Sequence, residues 1–167
     1  MLKYNSAPDN IEEIPCLLVP NQGFRLVLPN TAIAEVIGWH IPEPQHTANS
    51  DWLLGFFEWR EQRLPLLSIH IAEQTPAPHQ PFSKIAILNT VSDDLGFQYY
   101  GLAICGIPKL VRVNRDETSI CATEANPSVK APELSLVTSG INVMFSGENA
   151  WLPDLDQVER QLSKLFR

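Results

Sequence analysis

The chain has 167 residues, of which 44% are hydrophobic and 19% are charged, and its formal net charge is −7. This composition is typical of one soluble globular domain, or of two small subdomains that share a core. It disfavours nucleic acid as a partner, because nucleic-acid binders cluster Lys and Arg against the phosphates, whereas the twelve basic residues of this chain are scattered. No apolar run approaches the roughly 20 residues that cross a bilayer, so we expect no direct membrane insertion.

The N-terminal segment and the cysteines both indicate a cytoplasmic protein. Segment 1–13 is predicted to be disordered, and it lacks the apolar core of a secretory signal. Cys16, Cys105 and Cys121 are an odd number of cysteines at unrelated spacings within hydrophobic segments. Buried, reduced thiols are therefore favoured over a disulfide or a metal site.

Short apolar runs separated by Pro, Gly and Asn predict a chain made mostly of β-strands. The predicted strands are 14–19, 24–28, 32–37 (a strand or a short helix), the two arms of 52–69, 84–91, 97–104, 110–113, 119–121, 140–145 and 150–152. Polar or Pro-rich loops are predicted at 41–50, 73–81 and 123–135. Many short strands at close spacing indicate a β-barrel or a β-sandwich.

The segment Trp52–Ile69 is the most informative stretch and predicts a hairpin with hydrophobic arms and a charged corner. Pro65 belongs at a strand start or a sheet edge, because it lacks a backbone N–H. We expect the hairpin to hold Arg60 and two aromatic side chains in a fixed exposed geometry. Such a geometry suits a docking surface rather than a catalytic site.

The pattern of residues 154–166 predicts a C-terminal α-helix. Its apolar residues recur at helical spacing on one face, namely Leu155, Val158, Leu162, Leu165 and Phe166. Asp154 and Gln157 are spaced as a capping box at its start. We expect the apolar stripe to pack on the β-core, with a partner-binding helix as the alternative.

The residues that could carry chemistry do not form a recognisable catalytic or metal site. The four histidines have no metal-ligand spacing. Cys105 could form a dyad with a histidine, but it has no basic neighbour to lower its pKa. The sequence also lacks a Gly-rich phosphate loop and a nucleophile elbow. We therefore predict no enzyme activity, no cofactor and no metal.

Three blocks of sequence stand out in order along the chain, namely Phe24–Pro29 followed by Ile33–Ile37; Gly55, Trp59-Arg60 and Leu64–Leu67; and Lys84–Leu88 with Gly101–Ile107. Taken in this order, they resemble the CheW-like family, the adaptor domain of bacterial chemosensory arrays. The likeness extends from about Pro15 to the C-terminal helix. The family's Gly after the Arg is Glu61 here, its Asp before Gly106 is Cys105, and its Asp after the Pro-containing strand is Ser68. These departures suggest a divergent member, from an auxiliary or type IV pilus-linked system that controls twitching motility.

The resemblance implies an all-β fold of two small five-stranded SH3- or OB-like barrels that share a hydrophobic seam, followed by the C-terminal helix, in one domain spanning 14–167. It implies a non-enzymatic scaffold that couples chemoreceptor (methyl-accepting protein) cytoplasmic tips to the regulatory domain of a CheA-type histidine kinase. Such a protein is cytoplasmic and associates with membrane-anchored receptor arrays.

The resemblance also assigns candidate partner-binding residues, matched position by position. They are Ile33, Glu35, Val36, Arg60 and Gly101, in a groove between the barrels, with Ile107 and Leu110 close by. Arg60 is the central residue, because a rigidly held guanidinium can fork onto a receptor carboxylate or backbone carbonyl.

Other interpretations of these residues stay open. Ile33 and Val36 are equally compatible with the core, and Glu35 and Arg60 could pair with each other on the surface. Trp59 is either a binding anchor or a plug at one end of a barrel. The alternative function is a small-molecule-binding β-barrel without catalytic activity, which requires an unfilled cavity. The strands carry few polar residues that could orient such a ligand.

Overall fold

The computed structural model describes residues 13–45, 52–71, 81–114, 118–120, 137–138, 140–145 and 147–166. The strands are β1 Glu13–Pro20, β2 Arg25–Pro29, β3 Ile33–Gly38, β4 Leu53–Trp59, β5 Gln62–Leu67, β6 His70–Ile71, β7 Lys84–Asn89, β8 Tyr99–Ile104, β9 Lys109–Asn114, β10 Thr118–Ile120, β11 Val137–Thr138, β12 Gly140–Phe145 and β13 Glu148–Pro153. The α-helix is α1, Leu155–Leu165. Of the segment predicted to be disordered, Glu13 begins β1, and residues 1–12 lie outside the described residues. Most residues of the predicted loops 41–50, 73–81 and 123–135 also lie outside the described residues.

The strands form two main sheets, which confirms the predicted all-β fold with a C-terminal helix. The larger sheet has six strands in the order β10-β12-β13-β2-β1-β9, and the smaller has five in the order β3-β7-β8-β5-β4. A short parallel pair joins β6 to β11. The expected place of Pro65 at a strand start or a sheet edge is wrong, because Pro65 lies inside β5, which has β8 on one side and β4 on the other. Its missing N–H is tolerated because it lies one residue before the two positions where β5 pairs with β8.

Alternating side chains of both sheets enter different hydrophobic clusters. In the five-stranded sheet, Ile85 and Ile87 point to one cluster while Ala86 and Leu88 point to another. In the six-stranded sheet, Leu18 belongs to a third cluster. Its neighbour Val19 shares the cluster of Ala86 and Leu88. Strands with two buried faces are hydrophobic throughout, which is why their sequences alternate so weakly.

The cluster that both sheets share is the seam cluster. It consists of Val19, Leu26, Leu28, Trp52, Leu53, Leu67, Ile69, Ala86, Leu88, Leu95, Tyr100, Leu102, Ile104, Trp151, Val158 and Leu162. The other two clusters each lie inside one sheet's own barrel-like unit. The predicted arrangement of two barrel-like units around a common hydrophobic seam is confirmed, but one sheet has six strands where five were expected.

The chain crosses between the two sheets at short links. One link is the 3-10 turn Asn30–Ala32, between β2 and β3. Another is segment 105–108, between β8 and β9, where the Cys105 N–H donates to the carbonyl of Pro20 at 3.0 Å. This bond fixes the second link against the end of β1.

Helix α1 packs on the seam cluster, as its apolar spacing predicted. Val158 and Leu162 are fully buried there. Asp154 caps the helix by accepting a hydrogen bond from the Gln157 backbone N–H at 2.9 Å. The Phe166 ring then meets the rings of Phe56 and Phe97 edge-on, each with centroids 5.8 Å apart. The helix therefore follows the six-stranded sheet and packs against elements of the five-stranded one.

Candidate functional site

The turn that joins β4 to β5 consists of two residues, Arg60 and Glu61, because Trp59 pairs with Gln62. Their φ angles are 47° and 61°. Two consecutive residues with positive φ form the type I′ turn that matches the twist of a hairpin. The turn thus has the left-handed backbone conformation that glycine adopts most easily. Each non-glycine residue in this conformation costs roughly 1–2 kcal/mol of backbone strain.

The Arg60 side chain stands in solvent but is held on two sides. Its Nη2 lies 3.1 Å from Oε2 of Glu35. Its guanidinium carbon lies 4.5 Å above the centroid of the Trp59 ring. The side chain nevertheless remains 69% exposed. A guanidinium has five N–H donors, so one carboxylate contact leaves it able to bind a second acceptor.

Glu35 organises this corner by accepting two hydrogen bonds at one oxygen. Its Oε2 receives the Trp59 indole N–H at 3.0 Å as well as the Arg60 guanidinium. The pairing of Glu35 with Arg60, which the sequence allowed as a surface contact, is therefore present. Exposed pairs of this kind contribute at most about 1 kcal/mol to stability, so its main effect is to fix the direction of Arg60.

Trp59 is a buried plug rather than an exposed anchor. It is 7% exposed, and its ring meets that of Tyr99 edge-on with centroids 4.9 Å apart. Phe57, on the same strand, is also buried. The expectation that the hairpin presents two exposed aromatic side chains is wrong for Phe57 and Trp59, because these side chains fill the interior of the five-stranded unit.

A second arginine on the hairpin repeats the arrangement of Arg60. Arg63 lies 3.4 Å from Glu43 Oε2 and 4.5 Å above the Phe56 ring, and its side chain is 61% exposed. The sequence does not predict this pair, because Glu43 lies 20 residues before Arg63 and no local spacing indicates the contact. Arg63 provides a matched reference for any effect assigned to Arg60.

The predicted apolar site residues lie at different depths. Ile33 and Val36 are partly buried and pack against the seam cluster from β3, an edge strand of the five-stranded sheet. Leu110 lies on β9, an edge of the six-stranded sheet, opposite Leu17, which also packs on the seam cluster. Directly paired residues share a sheet face, so the side chain of Leu110, which is 62% exposed, extends the seam outward.

Ile107 is the most exposed of the predicted contacts. It is 78% exposed on the link between β8 and β9. The Cys105–Pro20 hydrogen bond holds that link in place. Ile107 therefore presents an apolar side chain where the chain passes from one sheet to the other.

Gly101 differs from the other predicted contacts, because it is buried in β8. A Cβ at this position would lie 2.6 Å from the Phe57 ring and 3.0 Å from Ile85. The absence of a side chain is thus required for packing inside the five-stranded unit. We therefore assign Gly101 a packing role, and it adds no side chain to the surface.

Gly55, in contrast, is required by the backbone. Its φ is 138°, and a Cβ there would lie 2.2 Å from the carbonyl oxygen of Glu43. Glu43 and Phe56 exchange two backbone hydrogen bonds, of 2.7 and 2.9 Å, beside it. Only glycine admits this close approach of two backbone segments.

The thiols of the described cysteines are poor nucleophiles. Burial raises the pKa of both the Cys16 and the Cys105 thiol. The thiol therefore predominates over the reactive thiolate at neutral pH. In the described parts of the chain, no group of three His, Cys, Asp or Glu side chains is placed to hold a metal ion.

The structure gives little support to a small-molecule barrel. Buried apolar side chains occupy the interior clusters of both units. An open depression on the surface is lined by Gly140, Ile141, Leu152, Pro153 and Asp154. Asp154 is the polar group in it, and its carboxylate already caps α1. A ligand there would find little to orient it.

Comparison with known proteins places this arrangement in a family. A family model described as the CheW-like domain matches residues 15–123. The chain belongs to the CheW-like family. CheW-like proteins act as chemotaxis scaffolds, so the general role of a non-enzymatic adaptor in chemosensory signalling follows from membership.

Solved structures support the same fold. The crystal structure of the scaffolding protein TtCheW from Thermoanaerobacter tengcongensis superposes with a TM-score of 0.60 at 9% sequence identity, covering 86% of this chain and 90% of that one. Identity this low supports the CheW-like fold alone. No curated protein sequence matches the chain. No helix in the described ranges has the length and apolar character needed to span a bilayer.

Proposed function

We propose that this CheW-like protein couples the cytoplasmic tips of chemoreceptors to the regulatory domain of a CheA-type histidine kinase, and that Arg60 is its central receptor contact. The protein makes and breaks no bond in this role. It holds two partners in a fixed relation. The observation that carries the proposal is the fixed, exposed guanidinium of Arg60 on the two-residue turn.

Arg60 suits this role because its geometry is set before a partner arrives. The turn, the Trp59 ring and the Glu35 carboxylate together limit the rotamers of its long side chain. Ordering a long side chain on binding costs about 0.5–1.5 kcal/mol, and much of that ordering is already present here. A receptor carboxylate or backbone carbonyl can then accept the remaining N–H donors.

Apolar residues supply the rest of the proposed surface. Ile33 and Val36 lie at the rim of the seam cluster, and Leu110 and Ile107 are exposed on β9 and on the link that precedes it. A helical hairpin of a receptor tip has an apolar stripe that such side chains would bury. Glu35 belongs to the surface as the group that orients Arg60.

The proposed setting is a cytoplasmic array of membrane-anchored receptors. The sequence departures at Glu61 and Cys105 lead us to propose an auxiliary or type IV pilus-linked system that controls twitching motility, rather than the flagellar one. Deletion of the gene should then abolish directed twitching and leave swimming unchanged. Loss of swimming chemotaxis alone would assign the protein to a flagellar system.

The mutation Arg60→Glu tests the receptor contact. Reversing the charge should abolish co-sedimentation of the purified protein with receptor cytoplasmic fragments. The free energy of unfolding should fall by only about 1 kcal/mol, because the side chain and its ion pair with Glu35 are exposed. The matched control is Arg63→Glu, which removes an equivalent ion pair and ring contact from the same hairpin and should leave receptor binding intact.

The outcomes separate a contact from a structural role. Equal loss of binding in both variants would mean that hairpin charge, and not Arg60, is what the receptor recognises. Unfolding of the Arg60→Glu protein would make the residue structural. If the unmodified protein binds neither receptor fragments nor the kinase regulatory domain but is stabilised by a metabolite in a thermal-shift screen, the small-molecule function replaces the adaptor.

A further inference from the structure

Glu159 is a buried carboxylate that the adaptor role does not use. It lies on α1 and is 2% exposed. Its Oε1 accepts the backbone N–H of Val91, and its Oε2 accepts that of Ser92, both at 2.8 Å. These amides belong to the turn between β7 and β8, residues 90–98. The contact therefore joins a helix that follows the six-stranded sheet to a turn of the five-stranded sheet.

The groups that face Glu159 are acidic or neutral. Asp156, one turn earlier on α1, and the Tyr100 hydroxyl of β8 both interact with its charge. The 3-10 turn that begins at Asp93 follows Ser92 directly and contacts α1. Among the described residues, no Lys, Arg or His forms an ion pair with Glu159. Within the part of the chain that the structure describes, this buried carboxylate is compensated by two amides, which is an unusual way to attach a helix.

We propose that Glu159 makes the contact between α1 and the β7–β8 turn pH-dependent, with the helix held more firmly at acidic than at neutral pH. The physical reason is that the carboxyl group of Glu159 has a different environment when α1 is attached and when it is detached. When α1 is attached, the carboxyl group is buried. When α1 is detached, water solvates it.

The sign follows from the titration of the two states. Burial raises the pKa of Glu159 above its ordinary value of 4.5; the two amide hydrogen bonds lower it in part, and Asp156 raises it further. The attached state therefore binds a proton more readily than the detached state. Stability of the contact is fully present below pH 4.5, and it declines as the pH rises from there through the raised pKa.

Detachment of α1 would uncover an apolar region that spans both units. Val158 and Leu162 would leave the seam cluster. The Phe166 ring would leave Phe56 and Phe97. The same contact therefore controls how firmly the two barrel-like units are joined along this side.

Hydrogen exchange of the Val91 and Ser92 amides tests the proposal. Their protection factors, corrected for intrinsic exchange, should be measured by NMR on the full chain between about pH 4 and pH 8, where a raised glutamate titrates. We expect protection to fall with rising pH, by at most about tenfold per pH unit, the limit for one proton. Glu159→Gln should abolish this dependence, whereas the exposed control Glu58→Gln should preserve it.

A second measurement keeps the proposal testable if Glu159→Gln does not fold. The carboxyl carbon shift of Glu159, followed against pH in the unmodified protein, should give a pKa above the ordinary value. Asp156→Asn should lower that pKa by removing a like charge. Protection that is constant or rises with pH, a Glu159 pKa at or below the ordinary value, or unchanged pH dependence in Glu159→Gln would each overturn the proposal.

Discussion

The two ends of the β4–β5 hairpin both require positive φ, and they meet the requirement with different residues. Near its open end, Gly55 has a φ of 138° and faces the carbonyl oxygen of Glu43, 2.2 Å from where a Cβ would lie. At the turn, Arg60 and Glu61 have φ angles of 47° and 61°. The first position admits only glycine, whereas the second tolerates side chains at a cost in backbone strain.

The difference separates two reasons for a glycine. At Gly55 the reason is contact, because another backbone segment occupies the space of a side chain. At the turn the reason is conformation alone, since both residues there are exposed. A family glycine can therefore be lost at position 61 without loss of the turn, and Arg60 keeps its place above Trp59.

The largest expected effect is that of Gly55→Ala. Backbone strain of about 1–3 kcal/mol adds to an overlap with the Glu43 carbonyl that costs about 1–3 kcal/mol. We expect destabilisation of about 2–6 kcal/mol in urea unfolding. Gly147→Ala is the matched control, because Gly147 has a φ of 74° with nothing within 4 Å of a Cβ. Equal effects of the two substitutions would mean that φ alone matters and that the contact with Glu43 does not.

Glu61→Gly should act in the opposite direction and more weakly. Glycine removes the left-handed strain at φ 61°, but it also makes the unfolded chain more flexible. We expect a net gain of about 0.5–1 kcal/mol in the free energy of unfolding, measured by urea denaturation. Receptor binding through Arg60 should be unchanged.

Glu61→Asn gives an independent check on the cause of that gain. Asn adopts the left-handed region more readily than Glu, so it should recover part of the stabilisation without glycine's flexibility. If both substitutions destabilise the protein, the Glu61 side chain makes a favourable contact that outweighs its strain.

The amino-acid pattern was sufficient for most of the strands, the helix and the family fold, but it did not predict the short strands β6 and β11. Gly, Pro and Asn residues between the apolar runs indicated where the strands end. Apolar residues at helical spacing, together with Asp154, indicated α1 and its cap. The amino-acid pattern did not show that Gly101 lies in the interior of the five-stranded unit. Both faces of β8 are buried, so alternation carries no information about which cluster a residue enters.

The sequence places one carboxylate, that of Glu159, on the apolar face of the predicted helix. It follows Leu155 by four residues and precedes Leu162 by three, so it falls on the apolar stripe of α1. A carboxylate on that stripe must find donors when the helix packs. Which donors it finds could not be deduced, because the Val91 and Ser92 amides lie 68 and 67 residues away in the chain.

The smallest expected effect is that of Glu35→Gln, which separates the charge of Glu35 from its hydrogen bonding. The amide oxygen still accepts the Trp59 indole N–H, so the buried ring keeps its partner, while Arg60 loses the opposite charge 3.1 Å away. Since both side chains are substantially exposed, we expect a loss of no more than about 1 kcal/mol in urea unfolding. The loss should shrink at about 1 M salt, where the screening length falls to about 3 Å. A larger loss that is independent of salt would mean that Glu35 stabilises the fold through Trp59, and that the position of Arg60 depends on the buried ring rather than on the ion pair.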